Sequence, residues 1–266
     1  MLRLCEIVKD QTTHIGHFMK TAYDLGISVQ EETITENILI WLKYLIDKKL
    51  VRNTYIKYYD KGAEFRQGVD FEWWLKSAST GKWISLRVQA KKMHPDEKYR
   101  LKHIYKGSKE WQVDRLINKS KKGLKKIPLY CFYNQHDTSF NSWTYTSAYK
   151  VKSLLSLPYG KVMTRSTFSY SEVGAKPMTD LFCSSRKGAI TQNLLQQIQQ
   201  MHKDFLSNDF QLREEDYIHS SAPSYVTSLF DFPTDSIRGD DATQSEDRPV
   251  FVIATIIDDD DIHVSE

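Results

Sequence analysis

Apolar residues recur along the chain in two rhythms, and the changes between them mark out the elements. Residues 1–24 carry Leu4, Ile7, Val8, Ile15, Phe18, Met19 and Ala22 at helical spacing, and Gly26 is a stop. A second helix opens at Thr33-Ile-Thr-Glu36, which has the Ser/Thr-x-x-Glu form of a capping box. Ile34, Ile38, Trp41, Leu42 and Leu45 then make a stripe that a sheet should bury. The period next falls to two. Thr54–Asp60 is β-branched and aromatic, Val69–Lys76 alternates weakly and Trp83–Met93 alternates clearly, with Ser79-Thr80-Gly81 as the turn of a hairpin. Lys109–Lys122 reads as a helix with Val113, Leu116 and Ile117 inward, and Pro128 opens the buried strand Leu129–Tyr133. A helix over an antiparallel meander, then a crossover helix and a further strand, predicts an α/β sandwich.

Beyond that strand the pattern is weaker. Residues 164–186 are Ser/Thr-rich and irregular, and Gly188–Leu206 is a helix with Ile190, Leu194, Ile198, Met201 and Phe205 on one side. Loop signals dominate 207–248, ending in the run Asp240–Asp247, before a late strand at Val250–Ile257 and four acids at Asp258–Asp261. The expected organisation is an N-terminal helical segment (1–30), a main domain (31–206) and an acidic C-terminal extension carrying a late strand (207–266). No internal repeat is present.

Charge changes this picture more than composition does. A chain of 266 residues, 40% of them hydrophobic, is not disordered. Its net charge of +3 conceals a segregation: Lys82–Lys126 holds 15 Lys/Arg against 4 Asp/Glu, whereas Asp204–Glu266 holds 3 against 16. The first block suits a polyanion, and the second an acidic surface that docks a partner or shields the first, with two solvated faces as the plain alternative. Cys5, Cys131 and Cys183 are odd in number and widely spaced, which argues for a reducing, cytoplasmic setting and against disulfides or a zinc cluster. Arg3, Glu6, Lys9 and Asp10 interrupt any leader-like apolar run, and Ile38–Ile46 is too short to span a bilayer, so no membrane partner is expected.

Candidate chemistry sits on the hairpin. In Gly68-Val-Asp70-Phe-Glu72-Trp-Trp74, Asp70 and Glu72 share one face. In Trp83–Lys92, Gln89 and Lys91 share a face, while Ile84, Leu86, Val88 and Ala90 point to the other. The hairpin can therefore gather an acid, an amide and a lysine. Trp73 and Trp74 face opposite ways, so at least one belongs to the core and only the other is free to stack on a base.

This pattern resembles the PD-(D/E)xK restriction-endonuclease-like superfamily in its Gln-x-Lys, Mrr-type variant. Gly68-Val-Asp-Phe-Glu-Trp-Trp, Leu86-Arg-Val-Gln-Ala-Lys-Lys, Gln112-x-x-x-Leu116 and Pro128-Leu-Tyr-x-Phe-Tyr-Asn134 look like a bacterial family of nuclease-like proteins of anti-phage defence. The resemblance covers about residues 30–205. It implies a mixed central sheet flanked by helices and a Mg²⁺-dependent DNA endonuclease, with Mn²⁺ as a substitute. Asp70, Gln89 and the backbone carbonyl of Ala90 would be metal ligands, since Mg²⁺ takes hard oxygen donors and keeps several waters. Lys91 would orient the attacking water and offset charge on the phosphorane. Gln89 replaces the usual second carboxylate, lowering the charge of the site.

In such nucleases a Glu on the first core helix often completes the site, and Glu36 has that place in the order of elements; as a cap residue it has an ordinary reading as well. Glu72 is an alternative acid. Lys92, Gln112, Lys119, Lys122 and Lys125 are candidate DNA contacts, with Gln112 equally readable as an exposed helical residue. A defence nuclease also implies a partner protein or activator, and a homo-oligomer. The rival readings are a catalytically weak or inactive nucleic-acid-binding or sensor subunit, and an interaction protein that docks through its acidic end.

Overall fold

The computed structural model describes residues 2–58, 69–104, 110–135, 142–156, 165–183, 189–203, 213–231 and 251–258. It is a three-layer α/β sandwich around a seven-stranded mixed sheet. Gly68, Lys106 and the acidic runs 240–247 and 259–261 lie outside the described residues.

Helix α1 (Leu4–Asp24) ends where Gly26 adopts a left-handed conformation (φ 68°), and α2 (Glu31–Asp47) follows. The expected capping box does not form. Helix α2 begins two residues before Thr33, with Gln30 as its cap residue and Glu31 and Glu32 in its first turn, where carboxylates complement the helix dipole. Thr35 is instead buried and bonded to the Tyr133 hydroxyl at 2.9 Å. Ile34, Ile38, Leu39, Leu42 and Leu45 face the sheet, each contributing roughly 2 kcal/mol by leaving water.

The strands are β1 (Thr54–Tyr58), β2 (Phe71–Ser77), β3 (Trp83–Lys92), β4 (Lys98–Arg100), β5 (Ile127–Tyr133), β6 (Trp143–Ser147), β7 (Thr167–Ser169), β8 (Lys176–Pro177) and β9 (Phe251–Ile257). The main sheet runs β1-β9-β2-β3-β5-β6-β8, and β4 pairs separately with β7. The β2–β3 hairpin forms as expected, with Phe71 opposite Val88 and Lys76 opposite Trp83. The meander does not. The late strand β9 lies between β1 and β2, antiparallel to the first and parallel to the second. The C-terminal extension thus supplies an interior strand of the main sheet, which its run Phe-Val-Ile-Ala-Thr-Ile-Ile, buried on both faces, requires.

Helices α1, α2, α6 (Thr179–Phe182) and α7 (Ile190–Lys203) cover one face, packing on Trp73, Leu86, Val88 and Ile253. The other face carries α3 (Gln112–Ser120) and α4 (Ala148–Leu155) over Tyr130 and Phe132. Helix α9 (Ser224–Asp231), which follows the short α8 (Glu214–Tyr217), covers Trp74, Val252 and Ala254. Both tryptophans of the Trp73-Trp74 pair are core, at 3% and 0% exposure, so neither is a stacking platform. A short helix α5 (Tyr170–Val173) completes the set.

Cys5 of α1 and Cys183 after α6 are joined in a disulfide across 178 residues. This corrects the expectation of unpaired thiols, for a separation of that length leaves no sequence signature. Among the described residues no helix is long and apolar enough to cross a membrane.

Candidate active site

Strand pairing puts Asp70 opposite Gln89, one step before Phe71 and Val88, and ties its backbone N–H to the Val88 carbonyl at 3.0 Å. Its Oδ2 accepts from Gln89 Nε2 at 2.6 Å and from the Ala90 N–H at 2.5 Å. The parity argument therefore holds as geometry: acid and amide meet on one face of the hairpin. All three residues are buried, Asp70 at 8% exposure and Gln89 at 2%. Gln89 Nε2 also reaches the Ala90 carbonyl at 3.3 Å, and Gln89 Oε1 is buried without a hydrogen-bond partner. A buried amide oxygen left in that state is costly unless something satisfies it.

Lys91 points to the same end of the hairpin, and its ammonium meets Glu31 Oε2 at 3.3 Å. The other oxygen of Glu31 accepts the Lys92 backbone N–H at 3.3 Å. The acid that α2 brings to the lysine is thus Glu31 at its first turn, not Glu36. Five residues further on, Glu36 lies about 7.5 Å along the helix and about 140° around it. Glu31 lies two residues before the helix start expected at Thr33, so no helical pattern marked it for this pairing. His94 and His103 complete the surroundings. The imidazole of each is held below its usual pKa by burial first, then by Arg100 and Lys92 for His94 and by Lys91 for His103, while Glu31 opposes the shift in both.

Glu72 has a different role. It is fully buried and faces Arg87 Nη1 at 3.5 Å and Lys126 Nζ at 3.9 Å, and its Oε2 accepts from the Tyr225 hydroxyl at 2.8 Å and Trp74 Nε1 at 3.2 Å. Closed in on four sides, it ties β2, β3, the start of β5 and α9 together.

The candidate DNA contacts separate. Lys92 is 8% exposed, with its ammonium bonded to the Val29 carbonyl and near the Ser28 hydroxyl, so it fastens the α1–α2 turn to β3. Gln112 is buried at the start of α3, its N–H on the His103 carbonyl at 3.0 Å, and is not an exposed helical residue. Lys119, half-buried, and Lys122, exposed, lie at the end of α3. Lys125 is paired with Asp216 of α8 at 2.5 Å.

Because β3 and β5 are parallel, the crossover through α3 carries the chain back to the start of β3. Lys126 lies level with Ser85, six residues or about 20 Å from Lys91. The Lys119–Lys126 cluster, adjacent to the hairpin in sequence, is therefore at the opposite end of the strand. The Lys125–Asp216 pair joins the basic block to the acidic C-terminal extension.

Oxygen donors only are gathered at the hairpin: the Asp70 carboxylate, Gln89 Oε1 and the Ala90 carbonyl. Such a set, with one unsatisfied buried oxygen, fits a hard divalent cation that retains waters. It does not fit zinc, and among the described residues no group of three His, Cys, Asp or Glu side chains is assembled for a metal.

Fold and site together define a mixed α/β domain with an acid–amide–lysine constellation at one end of an antiparallel hairpin. The chain belongs to a family of unknown function, DUF6615, which it matches over residues 4–258. No curated protein matches the sequence.

Proposed function

We propose that the protein is a metal-dependent deoxyribonuclease that hydrolyses phosphodiester bonds in anti-phage defence, with Mg²⁺ as the cofactor. One observation carries the reading: the Asp70–Gln89–Ala90 cluster and the Lys91–Glu31 pair meet at the same end of the β2–β3 hairpin. Mg²⁺ held by Asp70, Gln89 and the Ala90 carbonyl would supply Lewis-acid stabilisation of charge on the phosphate. Lys91 orients the attacking water, and its ammonium offsets the charge that builds as the phosphorus–oxygen bond forms in line. Glu31 fixes the lysine and accepts the water's proton. The opposite phosphorus–oxygen bond breaks with its electron pair on the leaving oxygen, which takes a proton from solvent, giving one phosphate end and one hydroxyl end.

The test incubates purified protein with plasmid and with single-stranded DNA, in Mg²⁺ or Mn²⁺, beside Asp70→Ala, Lys91→Ala and Glu31→Gln. Cleavage lost in all three supports the reading; cleavage that survives Asp70→Ala and Lys91→Ala refutes it. Gln89 in place of a second carboxylate favours one alternative, a nucleic-acid-binding or sensor subunit with weak or no turnover. DNA binding with a steep salt dependence, no cutting and no Asp70-dependent metal binding would select it.

A further inference from the structure

Next to the Lys91–Glu31 pair, the α1–α2 turn and the end of β3 form a solvent-open cleft of about 170 Å³. Met19, Ala22 and Met93 line it with apolar surface, and Ser28, Gln135 and Lys92 bring polar atoms. Tyr23 and Ile27 line it while remaining 49% and 57% exposed, and Leu25 between them is 68% exposed. Three large side chains with apolar surface are thus exposed to water within five positions at the cleft.

The cleft is also preformed. Gly26 takes a left-handed φ of 68°, the Ile27 N–H bonds to the Ala22 carbonyl at 2.8 Å, and Lys92 fastens Val29 and Ser28 to the strand. Lys92, which lines the cleft, follows Lys91 directly on β3, and its backbone N–H and the Lys91 ammonium share the Glu31 carboxylate, so the cleft adjoins the proposed catalytic lysine. Cations flank it: Lys98 and Arg100 are exposed on β4, whose first carbonyl accepts the His94 N–H at 3.0 Å.

We propose that this cleft takes an unpaired DNA base beside the scissile phosphate, so that the substrate class is single-stranded DNA. The inference rests on the nuclease reading of the adjoining site. A base offers flat apolar faces to Tyr23, Ile27 and the methionines, and a hydrogen-bonding edge to Ser28 and Gln135; its phosphates meet Lys98 and Arg100. A base inside a duplex is held in the stack by its neighbours and its pair and cannot enter a cleft without being extruded.

The experiment is fluorescence anisotropy of the full chain in EDTA, with a labelled single-stranded oligodeoxynucleotide, the same backbone with abasic sites, the duplex, and the matching RNA. Loss of the bases should weaken binding about 5- to 150-fold, the span of stacking one base on an aromatic side chain. Tyr23→Ala should lose a similar factor and become insensitive to abasic sites, whereas Tyr23→Phe should bind as the wild type. Equal binding of intact and abasic strands, duplex or RNA bound as tightly as single-stranded DNA, or no binding at all would overturn the proposal. Turnover is not needed in EDTA, so the two readings fail separately. Base-dependent binding with no cutting of the same single-stranded oligonucleotide in Mg²⁺ removes the nuclease, and Asp70-dependent cutting with base-independent binding removes the cleft.

Discussion

Replacing Glu72 by Ala separates a structural acid from a catalytic one. The carboxylate is fully buried, and its loss leaves Arg87 at 1% and Lys126 at 9% side-chain exposure without their shared counter-charge. The Tyr225 hydroxyl and Trp74 indole N–H lose their acceptor as well. Breaking a buried ion pair from one side costs about 3–5 kcal/mol, because the remaining charge stays desolvated. For a domain of this size each kcal/mol lowers Tm by about 2–4 °C, so Glu72→Ala should melt about 6–20 °C below the wild type. Differential scanning fluorimetry at constant pH reads this directly. Adding Arg87→Met should recover part of the loss, as coupled sites do not add. Per folded molecule, plasmid cutting well below the new Tm should stay within about threefold of the wild type. A Tm within about 2 °C of the wild type, or cutting abolished with Tm unchanged, would refute the assignment.

Glu31→Gln should lower cleavage at least about 100-fold while Glu36→Gln leaves it within a few fold, measured on the same plasmid. Acidification should destabilise the protein. Burial holds the imidazoles of His94, His103 and His219 below 6.5, with the Lys125 carbonyl opposing the shift at His219, so each is neutral in the fold and takes up its proton more readily when unfolded. Their contribution is complete above about 6.5 and is lost as pH falls below it towards the folded values, and His219→Gln should flatten the Tm profile between neutral and mildly acid pH. A thiol-reactive dye should find no reactive cysteine in the native protein. Cys131 is buried, which pushes its thiol up to about 12, and Cys5 and Cys183 are bonded to each other. Unfolding should expose one thiol and reduction three; two or more in the unreduced, unfolded chain would disprove the bond. Reduction should also lower Tm, since a cross-link over 178 residues is worth about 5 kcal/mol in chain entropy.

Legibility followed the range of the interactions involved. The stripes of α1, α2 and α7, the β2–β3 hairpin and β5 depend on neighbours a few residues away, and each could be read from spacing. The contact between Asp70 and Gln89 was legible for the same reason, because strand parity and one short turn decide which side chains meet. β6 and α4 were not visible. Trp-Thr-Tyr-Thr-Ser buries Thr144 and Thr146 as completely as its aromatics, and it shows no contrast between faces. Glu31 meeting Lys91, the disulfide, and the place of β9 depend on contacts 60, 178 and about 200 residues apart. The basic cluster misled in another way: closeness in sequence implied closeness in space, whereas a parallel crossover returns the chain to the far end of the sheet.

The insertion of β9 between β1 and β2 sets a timetable for the chain as it leaves the ribosome. β1 has its hydrogen-bonded neighbour in residues 251–255, and β2 has nothing on its outer flank until those residues emerge. The sheet therefore closes only after residues 251–257 have been made, and the edges of β1 and β2 that face them stay open in the meantime. Contacts of this sequence separation make for slow assembly. A chain stopped before residue 251 would lack this interior strand, and with it the neighbour of β2 beside Asp70, so the hairpin would not acquire its final geometry until β9 is in place.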